Sequence, residues 1–168
     1  MARRLLVAVV VLVIAFSLSS AAKTHNPPAP IEVDRVVDYV HSLEEHPLAK
    51  DNLAKRMWLT EWIVNSPVAE VEPCCKALKS LDDVNDTYSQ QLRMQALYSQ
   101  AAFQLEHPGV KDRSAIQAAG LAGTLKAYRA IQRFDPSAKY PLLDDLLSLE
   151  SKGKLQEYVG RQTHCMME

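Results

Sequence analysis

Cys74, Cys75 and Cys165 are the chain's three thiols, and His164, Met166 and Met167 surround the last of them. Soft donors of this kind suit a soft metal such as Cu(I). A closed metal site needs regular ligand pairs such as C-x-x-C, and this spacing has none, so no metal is expected. Adjacent cysteines on a helix point about 100° apart, so Cys74 and Cys75 cannot both face one partner. Either can bond Cys165, leaving the other odd. The closed loop of about 90 residues would stabilise the fold by roughly 4–5 kcal/mol on the chain-entropy model. A buried or free thiol is the alternative.

His41, Glu44, Glu45 and His46 have the residue types of a zinc hydrolase but not its spacing. H-E-x-x-H sets its histidines at i and i+4, on one helix face. Here they stand five apart, about 140° around the helix. The inverted motif would need histidine where Glu45 stands. No serine has a G-x-S-x-G setting, and there is no glycine-rich phosphate loop or dinucleotide fingerprint. Asp82-Asp83 and Asp144-Asp145 lie outside any EF-hand pattern and suit helix starts. No catalytic constellation and no cofactor motif emerges.

Trp58 and Trp62 are i,i+4 neighbours and could stack on a sugar or peptide, but core packing is the favoured reading, because their helix is apolar around most of its circumference. Glu61 falls between Met57 and Trp58 on the helical wheel of an almost wholly apolar helix. A carboxylate there is expected to be desolvated and paired, with Arg93 or a tyrosine hydroxyl. The functional alternative is a ligand-facing acid.

These residues need elements to carry them. The chain has 168 residues, is 48% hydrophobic and has a net charge of −1. Arg3-Arg4, the apolar run Leu5–Phe16 and the small residues Ser17–Ala22 follow the grammar of a secretory signal, with cleavage expected before Lys23. The apolar run is short for a span of about 20 residues, and an uncleaved N-terminal membrane anchor is the alternative. Residues 1–22 hold 17 of the 80 hydrophobic residues, and the other 146 are 43% hydrophobic. Without them the charge becomes −3, which suits a soluble exported protein and excludes a general nucleic-acid binder. No membrane span is expected in the mature chain.

Residues 23–30 read as a Pro-rich linker, 31–160 as one all-helical domain and 161–168 as a tail. Helices are expected over 31–43, 51–65, 73–80, 86–106, 112–134, 141–149 and 155–159. Asp51 and Asp112 stand at N-cap positions. Val68–Val71 is the only stretch with strand character. The 86–106 helix is apolar on two sides and belongs between neighbours. Ala115, Ala119, Gly123 and Ala127 stand four apart on the next helix, where small residues let two axes approach. Lys126, Arg129 and Arg133 are expected to face solvent.

Glu45-His46-Pro47-Leu48-Ala49-Lys50-Asp51 recurs as Glu106-His107-Pro108-Gly109-Val110-Lys111-Asp112, offset by 61 residues. Histidine suits a helix C-terminus, proline stops the helix and aspartate caps the next. Both copies read as turns of α-hairpins, by duplication or by convergent turn grammar. Residues 127–136 (AYRAIQRFDP) resemble the second-helix ending of a tetratricopeptide repeat, with Tyr128 eight residues before Pro136. Thr124 and Ile131 depart from the alanines that family prefers. The resemblance implies a concave surface for peptides or partner proteins, and no catalysis.

The expectation is therefore an all-α, secreted or periplasmic interaction or scaffold protein. The alternatives are a small envelope enzyme using dispersed residues such as Glu61 and His41, or a thiol- or metal-binding protein.

Overall fold

The structure is a computed structural model that describes residues 30–73, 77–81, 84 and 86–162. The signal region, the cysteines Cys74, Cys75 and Cys165, and the tail from residue 163 lie outside the described residues. Six α-helices follow in order: α1 Pro30–Glu45, α2 Asn52–Asn65, α3 Thr87–Glu106, α4 Arg113–Phe134, α5 Pro141–Glu150 and α6 Leu155–Gln162. Lys79–Leu81 forms a single 3-10 turn. Among the described residues there is no strand, and Val68–Val71 runs without regular structure. The protein is a single all-α domain.

Two boundaries move. Proline is permitted in a helix's first turn, so α1 begins at Pro30, inside the expected linker. At the other end α6 continues through Arg161 and Gln162, which the sequence assigned to the tail. The helix expected over 73–80 is represented among the described residues by the 3-10 turn alone.

The α3–α4 hairpin is the spine. α1 lies across both its helices and α2 flanks α1 and α3, while α5 and α6 cover α4. α3 is buried on several sides, as its two apolar faces require: Leu92, Ala96, Tyr98, Ala101 and Ala102 are all sealed. The core divides accordingly. Val36, Val40, Leu43, Leu59, Tyr98 and Ala102 join α1, α2 and α3. Leu92, Leu121, Leu125, Ile131, Leu143, Leu146 and Val159 join α3 to α4, α5 and α6. Burying each such aliphatic side chain stabilises the fold by about 1.5–3 kcal/mol before entropy is counted.

Of the small residues expected to let α4 approach its neighbour, Gly123 does so, joined by Gly120 from outside that series. A Cβ on Gly120 would lie 2.6 Å from the Ala96 carbonyl oxygen, and one on Gly123 would lie 2.0 Å from Ser99 Oγ. These two glycines set the closeness of α3 and α4.

The repeated heptapeptide forms both expected turns. The Ala49 N–H donates to the His46 carbonyl at 3.1 Å, and the Val110 N–H to the His107 carbonyl at 3.2 Å. Pro47 and Pro108 take the second place of each turn. At the third place the copies diverge. Gly109 has φ 97°, the left-handed value of a type II turn, whereas Leu48 keeps a negative φ, as in type I. Asp112 caps α4, accepting the Ser114 N–H at 2.9 Å. Asp51 makes no cap; its carboxylate pairs with Lys55 at 2.9 Å, and Asn52 Nδ2 instead ties the start of α2 to the His46 carbonyl. His107 Nδ1 meets the Phe103 carbonyl at 3.0 Å, as a histidine at a helix C-terminus should.

Candidate functional site

α2 carries the residues the sequence singles out, and it lies at the edge of the fold. Leu59 is fully buried, and Trp58 and Trp62 are half-buried against the α1–α3 core. Tyr39 meets Trp58 edge-on at 5.5 Å, and the Arg35 guanidinium lies 5.4 Å over the Trp58 ring. Both indoles therefore pack, while keeping one side open. They line a shallow recess of about 340 Å³ together with Glu32, Glu61, Asn65, Ser66 and Pro67.

Glu61 is a correction. It is exposed rather than desolvated, and Arg93 is half-buried on α3 and does not line the recess. The cause is that α2 is covered on one side only. Leu53, Met57 and Val64 remain 70%, 66% and 78% exposed. At 100° per residue these three fall within about 40° of arc, with Glu61 and Ala54 beside them. Apolarity around most of a helix's circumference predicts burial, but here one side stays bare.

A second cluster was missed by sequence reasoning. Glu44 on α1 points into the fold and is only 5% exposed. Its carboxylate accepts from Ser99 Oγ at 2.7 Å and from Lys126 Nζ at 3.3 Å, and meets His41 Nδ1 at 3.1 Å. Gln95 Nε2 donates to Ser99 Oγ at 3.1 Å, and His41 Nε2 meets Glu106 at 2.9 Å. Lys126 also pairs with Glu45 at 3.2 Å, so it does not simply face solvent. Arg129 likewise pairs with Glu150. The available signal was helical register, since Glu44 stands four residues after Val40 on the buried face of α1.

This cluster holds helices together. Burial lowers the pKa of His41, but hydrogen bonds and charge from Glu106 and Glu44 outweigh it, and the net shift is upward. Carboxylates facing both ring nitrogens favour the doubly donating imidazolium over the neutral ring. Among the described residues no histidine lines the Glu61 recess, and His41 lies outside it. Among the described residues no group of three His, Cys, Asp or Glu could hold a metal, and no helix is long and apolar enough to cross a membrane.

A cleft of about 700 Å³ lies between the start of α3 and the α4–α5 connection. Two of its three acids, Asp86 and Asp135, are occupied. Asp86 caps α3 through the Ser89 N–H at 2.7 Å and accepts from Tyr140 Oη at 2.8 Å. Asp135 accepts the Ser137 N–H at 3.0 Å. Burial, followed by the Asp86 carboxylate, raises the pKa of Tyr140 strongly, so the phenol stays a donor.

Comparisons with protein-family models, with curated proteins and with solved structures found no match to this chain.

Proposed function

We propose that this chain is an exported interaction domain whose docking surface is the outer face of α2. The observation that carries the reading is the exposure of Leu53, Met57 and Val64 on one stripe of a single helix. Single apolar residues on a surface need no account, but three large ones left bare along one side of one helix point to an interface. Glu61 on the same face and Glu32 across the tryptophan recess make one edge acidic. The partner that fits is an amphipathic helix with apolar residues at i,i+4 spacing and a basic flank. The resemblance of residues 127–136 to a tetratricopeptide ending supports the same class of role. The basic, apolar and small-residue grammar of residues 1–22 supports export to the periplasm or the exterior.

Capture with the tagged full chain from the envelope fraction tests the docking surface. A protein enriched at least tenfold by the wild type should be lost with Met57→Asp and retained with Phe134→Asp, a control exposed on α4. Retention by Met57→Asp overturns the assignment. A wild-type homodimer that Met57→Asp dissociates would replace the foreign helix with a second copy of this chain. Export predicts a secreted chain whose N-terminal sequence starts at Lys23; a start at Met1 or Ala2 overturns it.

A further inference from the structure

The connection from Ser66 to Asp86 spans 21 residues, where packed helices usually need about 2–8. Connections of that length commonly carry function. Its first part is held to α3 by backbone hydrogen bonds of a particular kind. Gln104 Nε2 donates to the Glu70 carbonyl at 2.9 Å, and its Oε1 accepts the Glu70 N–H at 3.2 Å. Gln100 does the same for Glu72, at 2.9 and 3.0 Å. Each side-chain amide thus offers one residue both bonds that a neighbouring β-strand would offer.

The match is geometric. Four residues of helix rise about 6 Å and two residues of strand about 6.7 Å, so glutamines at i,i+4 meet alternate residues of an extended chain. Bonds to the backbone ignore sequence, and selection falls to the side chains. Ala69 is buried, which calls for a small residue. Three positions on, the Glu72 carboxylate accepts from Arg113 at 2.5 and 2.6 Å and from Gln117 at 3.4 Å. A cleft of about 440 Å³ remains beside the segment, and Lys111 adds a second cation to its lining.

We propose that Gln100, Gln104, Arg113 and Gln117 form a binding site for an extended acidic peptide, occupied in cis by Val68–Glu72. The ligand carries a small residue followed, three positions on, by an acid. This site is separate from the α2 surface and does not depend on it. Arg113 and Glu72 are both substantially solvent-accessible, so their ion pair is weak and the segment can leave. An incoming peptide competes with a tethered one, and its apparent affinity falls by the fraction of time the site is free.

The test is fluorescence anisotropy of a labelled peptide with the sequence of residues 66–73, using the full chain and a scrambled peptide as control. Glu72→Lys places a cation against Arg113 and should bind the peptide at least tenfold more tightly than the wild type. Glu70→Pro removes the N–H that Gln104 accepts and should release the segment by a different route, with the same gain. Adding Gln104→Leu and Arg113→Glu to either variant should abolish binding. Circular dichroism confirms the fold of each variant. No gain in any folded release variant, or equal binding of the scrambled peptide, overturns the proposal.

Discussion

The Ser99 hydroxyl donates to the Glu44 carboxylate across 2.7 Å, joining α3 to α1 directly opposite Gly123 of α4. A Cβ on residue 123 would lie 2.0 Å from Ser99 Oγ and 2.5 Å from Glu44 Oε1. Three helices converge on this point because one of them has no side chain there. Gly123→Ala gains about 0.8–1.0 kcal/mol in helix propensity. Overpacking costs about 1–3 kcal/mol, and so severe a clash belongs at the upper end. The expected result is a net loss of about 2 kcal/mol in urea unfolding. A stabilised variant would refute the packing.

His41 should make stability depend on pH. Its folded pKa lies above the ordinary histidine value of 6.5, so its contribution is fully present below that value. It is lost as pH rises through the folded pKa. The side chain is 42% exposed, which limits the contribution to about 1 kcal/mol or less. Unfolding midpoints compared at pH 5.5 and pH 8 should show a component that His41→Gln removes. An unchanged difference in that variant would assign the dependence to other groups.

α2 offers a contrast within about half a turn. Leu59 is fully buried and Met57 is 66% exposed. Leu59→Ala should cost about 2–5 kcal/mol. Met57→Ala should stay within about 0.5 kcal/mol. Chemical denaturation of both variants checks which side of α2 faces the core. Equal costs would place Met57 in an interface already within the folded chain.

The two copies of the heptapeptide turn should respond differently to the same substitution. Asp112 accepts the Ser114 N–H at 2.9 Å, whereas Asp51 accepts no backbone N–H at its helix start. Asp112→Ala should lower the melting temperature by a few degrees, and Asp51→Ala should leave it nearly unchanged. Equal shifts would mean that the two aspartates do the same work.

Legibility divides along a physical line. The ends of α3 and α4 were readable because His107-Pro108 and Asp135-Pro136 act within a few residues of themselves. The sandwiching of α3 was readable because its apolar periodicity has two faces. Glu44 was not, because Ser99 and Lys126 stand 55 and 82 residues away and only the packed fold unites them. The open side of α2 escaped for a related reason: an apolar wheel says which faces could be covered, not which neighbours exist to cover them. Gln100 and Gln104 carry no signal in the sequence, since their partners in the connection are backbone atoms, which leave no mark on it.

Tyr128 supplies the last test, and its hydroxyl is fully used. It donates to Asp144 Oδ1 at 3.0 Å and accepts from Gln132 Nε2 at 2.7 Å and from the Tyr140 N–H at 3.1 Å. One donor and two lone pairs are all a phenol has. The side chain is wholly buried, so water cannot replace these bonds. Tyr128→Phe preserves the ring and its packing but leaves the Tyr140 N–H without that acceptor at the entry to α5. An orphaned buried donor costs about 1–3 kcal/mol. Urea unfolding should show that loss. Hydrogen exchange at the Tyr140 amide should accelerate more than at the Leu125 amide, in mid-α4. If the Tyr140 amide stayed protected in Tyr128→Phe, the hydroxyl would not be what ties the α4–α5 connection to the core.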